Sequence, residues 1–97
     1  MSKVKLKTKF DFDVKLFKNH KVKQKLISFA KKMKGHVSVK NNGTNDILLY
    51  INKKRVAQIH PGMKSNVSAE NISSISIGCQ PIANTKCRGT FKFKEGK

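Results

Sequence analysis

The chain has 97 residues, a formal net charge of +17 and 37% hydrophobic residues. That length allows one domain with one modest core, and the apolar content is too high for a disordered tail. No run approaches the roughly 20 apolar residues of a membrane span, and no secretory signal pattern opens the sequence.

Residues 1–17 alternate. Val4, Leu6, Phe10, Phe12, Val14 and Leu16 take even positions, interrupted only by Thr8, while Lys3, Lys5, Lys7, Lys9, Asp11, Asp13 and Lys15 take odd ones. A period of two predicts a strand with one oily and one charged face. Extended, residues 4–16 would span roughly 43 Å, long for a domain of this size. The strand is therefore the candidate for reaching a neighbouring subunit, because a strand edge offers backbone donors and acceptors whatever its side chains.

The period then changes. Val22, Leu26, Phe29 and Met33 recur at steps of four, three and four, surrounded by Lys21, Lys23, Lys25, Lys31, Lys32 and Lys34. This predicts an amphipathic helix over 21–34, with Asn19 before it as a cap and Gly35 after it as a stop. A strand through Leu26, Ser28 and Ala30 is the alternative.

From residue 37 to 94 the pattern is of strands divided by turns. Val37–Val39 leads to the turn signal Asn42-Gly43, where glycine accepts a positive φ without penalty. Ile47–Ile51 is wholly apolar and reads as a strand buried on both sides. Asn52 to Lys54 turns into a strand at Arg55–Ile59, and His60-Pro61-Gly62 turns again. Ser65–Ala69 suits an edge strand, Ile72–Cys79 a β-rich segment in which Ile75, Ile77 and Cys79 share a face, and Gln80–Lys86 a loop. In Cys87–Lys94, Phe91 and Phe93 alternate with Lys92 and Lys94. These short strands predict an all-β fold, a small antiparallel β-sandwich carrying the one helix.

Little in the sequence nominates chemistry. His20, His36 and His60 are dispersed, and the cysteines lack the two-residue spacing common in zinc sites. No phosphate-cradling glycine loop is present. No catalytic residue, metal or cofactor is assigned, and the protein is expected not to be an enzyme. Cys79 and Cys87, eight residues apart, are open to three states: free thiols, a disulfide within the chain, or a link to another chain. The abundant lysine suits polyanions, with Lys21, Lys23, Lys25, Lys31, Lys32, Lys34, Lys53, Lys54 and Arg55 as candidate contacts for nucleic acid. Lysine acts as a hydrated point charge where arginine would read bases or phosphates bidentately, so the attraction is expected to be unspecific.

The stretch from Val37 to Phe93 resembles the core domain of the bacterial endospore appendage (Ena) pilins. The matching features are Val37 to Thr44, the Pro61-Gly62 turn with the Ser/Val strand after it, Asn71 to Ile77 ending at Cys79, and Cys87 to Phe91. The resemblance implies a jelly-roll-like sandwich that stacks into fibres, with an N-terminal connector reaching a neighbouring subunit. It also implies bridging at Cys79 and Cys87, although no cysteine stands in residues 1–17 where the family's connector carries them.

The sequence thus leads to a structural or self-assembly subunit, a homo-oligomer or filament joined through Val4, Leu6, Phe10, Phe12, Val14 and Leu16. A basic nucleic-acid or polyanion-binding module is the first alternative, and a cationic membrane-active protein the second. Synthesis in the cytoplasm is expected, with a spore or cell surface reached after release.

Overall fold

The computed structural model describes residues 6–14, 22–80 and 84–96. Val4, Leu16, Lys21 and the segment 17–20 lie outside them. Six strands run in chain order: β1 Lys7–Val14, β2 Val22–Asn41, β3 Ile47–Ile51, β4 Lys54–Ile59, β5 Lys64–Cys79 and β6 Cys87–Glu95. They form one antiparallel sheet in the order β1-β6-β2-β5-β3-β4. The all-β class of the sequence reading holds, and its helix does not.

Residues 22–34, the described part of the predicted helix, belong to β2, whose partner throughout is β5. The helical spacing has a physical origin in β-bulges. Pairing slips between Lys25 and Ile27, between Ser28 and Met33, and between Met33 and Gly35. Between the pairs Ser28↔Ser74 and Met33↔Ile72, residues 29–32 of β2 face Ser73 alone on β5. Each extra residue resets the phase of a strand. Leu26, Phe29 and Met33 therefore all reach the core side, although a regular strand would turn Leu26 and Phe29, three residues apart, to opposite faces. Asn71, with φ 57°, lies opposite this irregular stretch. The amphipathic stripe was real, but bulged strand produces it.

The bulges also bend the sheet. Twenty extended residues would reach about 66 Å, more than the molecule's longest dimension of 52 Å, so β2 cannot run straight. Its C-terminal half pairs with β6 and the start of β5, and its N-terminal half with the end of β5. Two half-sheets result. One holds β1, β6, the end of β2 and the start of β5; the other holds the start of β2, the end of β5, β3 and β4. The segments Ser65–Ala69 and Ile72–Cys79, read separately in the sequence, are one strand shared by both.

Both half-sheets contribute to a single core. From the first come Phe12, Val14, Val37, Val39, Phe91 and Phe93, and from the second Ile47, Leu49, Ile59, Ile72, Ile75 and Ile77. Each fully buried side chain of this size contributes on the order of 1.5–3 kcal/mol. Phe10 meets Phe91 with ring centroids 5.1 Å apart, and Phe29 from the bulge meets Phe93 at 5.0 Å. The alternation seen in residues 7–14 is confirmed, with Phe10, Phe12 and Val14 turned inward. Their strand, the proposed connector, pairs along its length with β6 of its own chain.

Small residues and asparagines fix the connections. At Gly89 a Cβ would collide with the Lys40 carbonyl and the Phe12 ring. Gly43 meets the Lys86 carbonyl in the same way. Its φ is not positive, so close approach, rather than turn geometry, is what this glycine permits. Asn52 and Lys53 both have positive φ, as a two-residue hairpin between β3 and β4 requires. Asn52 Oδ1 accepts from the Ser73 amide at 2.6 Å, tying that hairpin to β5. Asn41, buried, donates from Nδ2 to the carbonyls of Asn45 and Ile59.

Cys79 and Cys87 form a disulfide within the chain, with Cα atoms 6.3 Å apart. It joins the end of β5 in one half-sheet to the start of β6 in the other. Closing a loop of this length restricts the unfolded chain by about 2–3 kcal/mol. We therefore expect reductant to lower the unfolding free energy by about that amount, measured by urea titration with and without dithiothreitol. Identical curves would show that the bridge contributes nothing.

Candidate polyanion-binding face

The inward alternation of the first half-sheet dictates what lies on its reverse. With Phe91 and Phe93 buried, Arg88, Thr90, Lys92 and Lys94 of β6 turn out. With Val37 and Val39 buried, His36, Ser38 and Lys40 of β2 turn out, and Lys7, Lys9, Asp11 and Asp13 do so from β1. Strand register then sets these residues in rows. Lys7, Lys94, His36 and Ser68 form the first row; Lys9, Lys92, Ser38 and Asn66 the second; Asp11, Thr90, Lys40 and Lys64 the third.

Three cross-strand pairs on this face are lysine against lysine: Lys7↔Lys94, Lys9↔Lys92 and Lys40↔Lys64. Neighbouring strands lie about 4.8 Å apart, and like charges directly opposite destabilise a sheet. The middle of the face is short and polar. Ser38 and Asn66, with His36, Thr8 and Phe93, line a shallow groove of about 460 Å³, walled by Lys7, Lys9, Lys64, Lys92 and Lys94. His36, which lines it, sets its Nδ1 2.6 Å from Ser68 Oγ. The acidic end is occupied internally, since Thr90 Oγ1 donates to Asp11 at 2.8 Å and Arg88 pairs across from Asp13. The groove itself is lined by cations, neutral hydrogen-bonding groups and Phe93, and by no carboxylate.

None of these lysines was among the contacts nominated from the sequence. Of those, Lys23, Lys25 and Arg55 lie on the outer face of the second half-sheet, where one row reads Lys25, Ser76, Tyr50, Arg55. Lys31 and Lys32 are exposed in the bulge of β2, and Lys34 beyond it pairs with Glu70 at 3.1 Å. Lys53 and Lys54 stand at the β3–β4 hairpin. The structure thus divides the nominated set among a face, a bend and a turn. The alternation of Lys7 and Lys9 in β1, and of Lys92 and Lys94 in β6, was visible in the sequence. That the two strands lie side by side in register was not.

A second polar cluster joins β3 and β4. Asp46 accepts hydrogen bonds from His60 Nδ1 at 3.0 Å and from Gln58 Nε2 at 2.8 Å. These bonds, that of His60 first and Gln58 second, hold the Asp46 carboxyl below its usual pKa. Neither Cys79 nor Cys87 offers a free thiol to His60, because the two sulfurs are bonded to each other. Among the described residues no group of three or more His, Cys, Asp and Glu side chains is placed to hold a metal ion. No helix among them is long and apolar enough to cross a membrane. No protein-family model matches the chain, and no curated protein is significantly similar to it.

Two measurements follow from this geometry. A carboxyl with a lowered folded-state pKa stabilises the fold above its unfolded pKa, near 3.9, and that stabilisation disappears as pH falls through the folded value. The acid limb of a stability–pH curve should therefore be shallower for Asp46→Asn than for the unsubstituted protein; identical limbs would contradict the assignment. Replacing one member of a lysine pair should relieve repulsion. Lys92→Glu is expected to raise the unfolding free energy by roughly 0.2–1 kcal/mol at low salt, read from urea denaturation. A loss of stability would show that these lysines do not repel.

Proposed function

We propose that the protein is a non-catalytic, sandwich-like domain that binds linear polyanions on the outer face of its first half-sheet. The observation that carries the proposal is the trio of opposed lysine pairs on that face, two of which wall a shallow groove that holds no carboxylate. In the free protein those pairs cost stability, and an anion laid between them turns the same repulsion into attraction. Alternate residues along a strand project about 6.7 Å apart and neighbouring strands about 4.8 Å apart. This makes a flat lattice of positive charge, suited to an extended polymer rather than to a compact ligand. Lysine predominates over arginine, so binding should depend on charge density more than on sequence.

Self-assembly, the reading that accompanies the resemblance to spore appendage pilins, has one structural support. β1 and β4 are the two outermost strands of the sheet, so each presents a backbone edge on which a second copy can add. With Cys79 and Cys87 joined inside the chain, covalent locking through them is not part of this reading.

A single titration separates the two. If Lys7, Lys9, Lys40, Lys64, Lys92 and Lys94 each meet one phosphate of a single strand, log K should fall against log salt with a slope of about −4. That is a loss of roughly 300-fold between 50 and 200 mM salt. The paired substitution Lys9→Glu with Lys92→Glu should weaken binding and flatten the slope. Absence of binding at 50 mM salt overturns the polyanion reading. Filaments or oligomers that persist at high salt without any polyanion would establish assembly in its place.

A further inference from the structure

The outer face of the second half-sheet carries the chain's one tyrosine. The sequence placed Tyr50 in a strand buried on both sides. In the structure Ile47, Leu49 and Ile51 face the core, and Tyr50 turns outward, partly exposed. Its cross-strand neighbours are Ser76 on one side and Arg55 on the other, and Lys25 lies beyond Ser76 in the same row. In the next row Gly78 separates Lys23 from Leu48.

Ser76 and Gly78 together leave a gap in the side-chain layer of β5. Lys23 fills it. Its side chain reaches from β2 across β5 and sets its ammonium 4.3 Å from the centroid of the Tyr50 ring. The ring therefore offers its π-face sideways over a shallow, small-residue floor, and the exposed Lys23 occupies that face. An exposed cation–π contact of this kind is worth only about 0.5–1 kcal/mol, so another flat group can displace it. The lysine released in this way would still lie beside Lys25 and Arg55, available to a phosphate.

We infer that the polyanion is a single-stranded nucleic acid, and that Tyr50 is the platform on which one of its bases stacks. The inference rests on the polyanion reading above and narrows it. A base stacks on the Tyr50 face that Lys23 now covers, while Lys23, Lys25 and Arg55 take the flanking phosphates. A duplex keeps its base faces inside the helix, so a ring on an open sheet reaches only unpaired bases. A ring on one half-sheet and a lysine lattice on the other give separate functions, base contact and backbone contact, to separate surfaces.

The test compares oligo(dT) with an abasic deoxyribose-phosphate strand of equal length, which has the same phosphates and no bases. The chain contains one Tyr and no Trp, so tyrosine emission reports on Tyr50 alone. Oligo(dT) should quench that emission and bind roughly 5- to 150-fold more tightly than the abasic strand. Tyr50→Leu should bring oligo(dT) down to the abasic affinity while the abasic strand binds as before, and Tyr50→Phe should retain the preference. Equal affinity for the two strands with no quench overturns base stacking but leaves polyanion binding intact. Failure of both strands to bind at low salt overturns the polyanion reading itself. Should Tyr50→Leu disturb the fold, the quench and the affinity ratio of the unsubstituted protein still decide the case.

Discussion

The antiparallel pairing of β2 with β5 is the constraint on which everything else depends. These two strands are the only ones that belong to both half-sheets. Their bulged middle, where residues 29–32 face Ser73, lets the halves contribute to one core. Without the bulges, Leu26 and Phe29, three residues apart, would turn to opposite faces, and could not both pack against the core as they do, Phe29 on Phe93. The disulfide from Cys79 to Cys87 ties the same two halves at a second place. A chain of this size has little core to spare, so a bridge between halves is a substantial part of its stability.

Register turns this packing into a surface pattern. Because Phe91 and Phe93 are inward, Lys92 and Lys94 are outward; because Phe10 and Phe12 are inward, Lys9 and Asp11 are outward. A slip of one residue would reverse every side chain of the strand. Burial of a large apolar side chain contributes on the order of 1.5–3 kcal/mol, against roughly 0.2–1 kcal/mol for a cross-strand charge pair. The apolar side therefore sets the register, and the lysines must accept the neighbours it assigns to them. Three opposed lysine pairs are a feature that stability alone would not maintain, which is why they are read as a binding surface.

The sequence disclosed strand identity well where one face was regular. The alternation of residues 7–14 and of 87–94 survives intact in β1 and β6, and the apolar run 47–51 is β3. It misled at 22–34, because a bulged strand and a helix both return an apolar residue every three or four positions. Asn42-Gly43 was recognised as a place where the chain must turn, but for the wrong reason, since Gly43 serves close approach to Lys86. The lysine face was hidden for a different cause. Its members come from β1, β2, β5 and β6, and local patterns carry no information about which strands become neighbours. Tyr50 was hidden by the apolar run around it, which conceals which alternate residue faces solvent.

The account stands most directly on the register that places lysine opposite lysine. Nuclear Overhauser contacts between backbone protons across β1–β6 and β2–β5 measure it without reference to any ligand. The structure predicts cross-strand contacts for Lys9 with Lys92 and for Lys40 with Lys64, together with extended-backbone chemical shifts through residues 22–28. Helical shifts over that segment, or contacts displaced by one residue, would contradict both the fold and the surface derived from it.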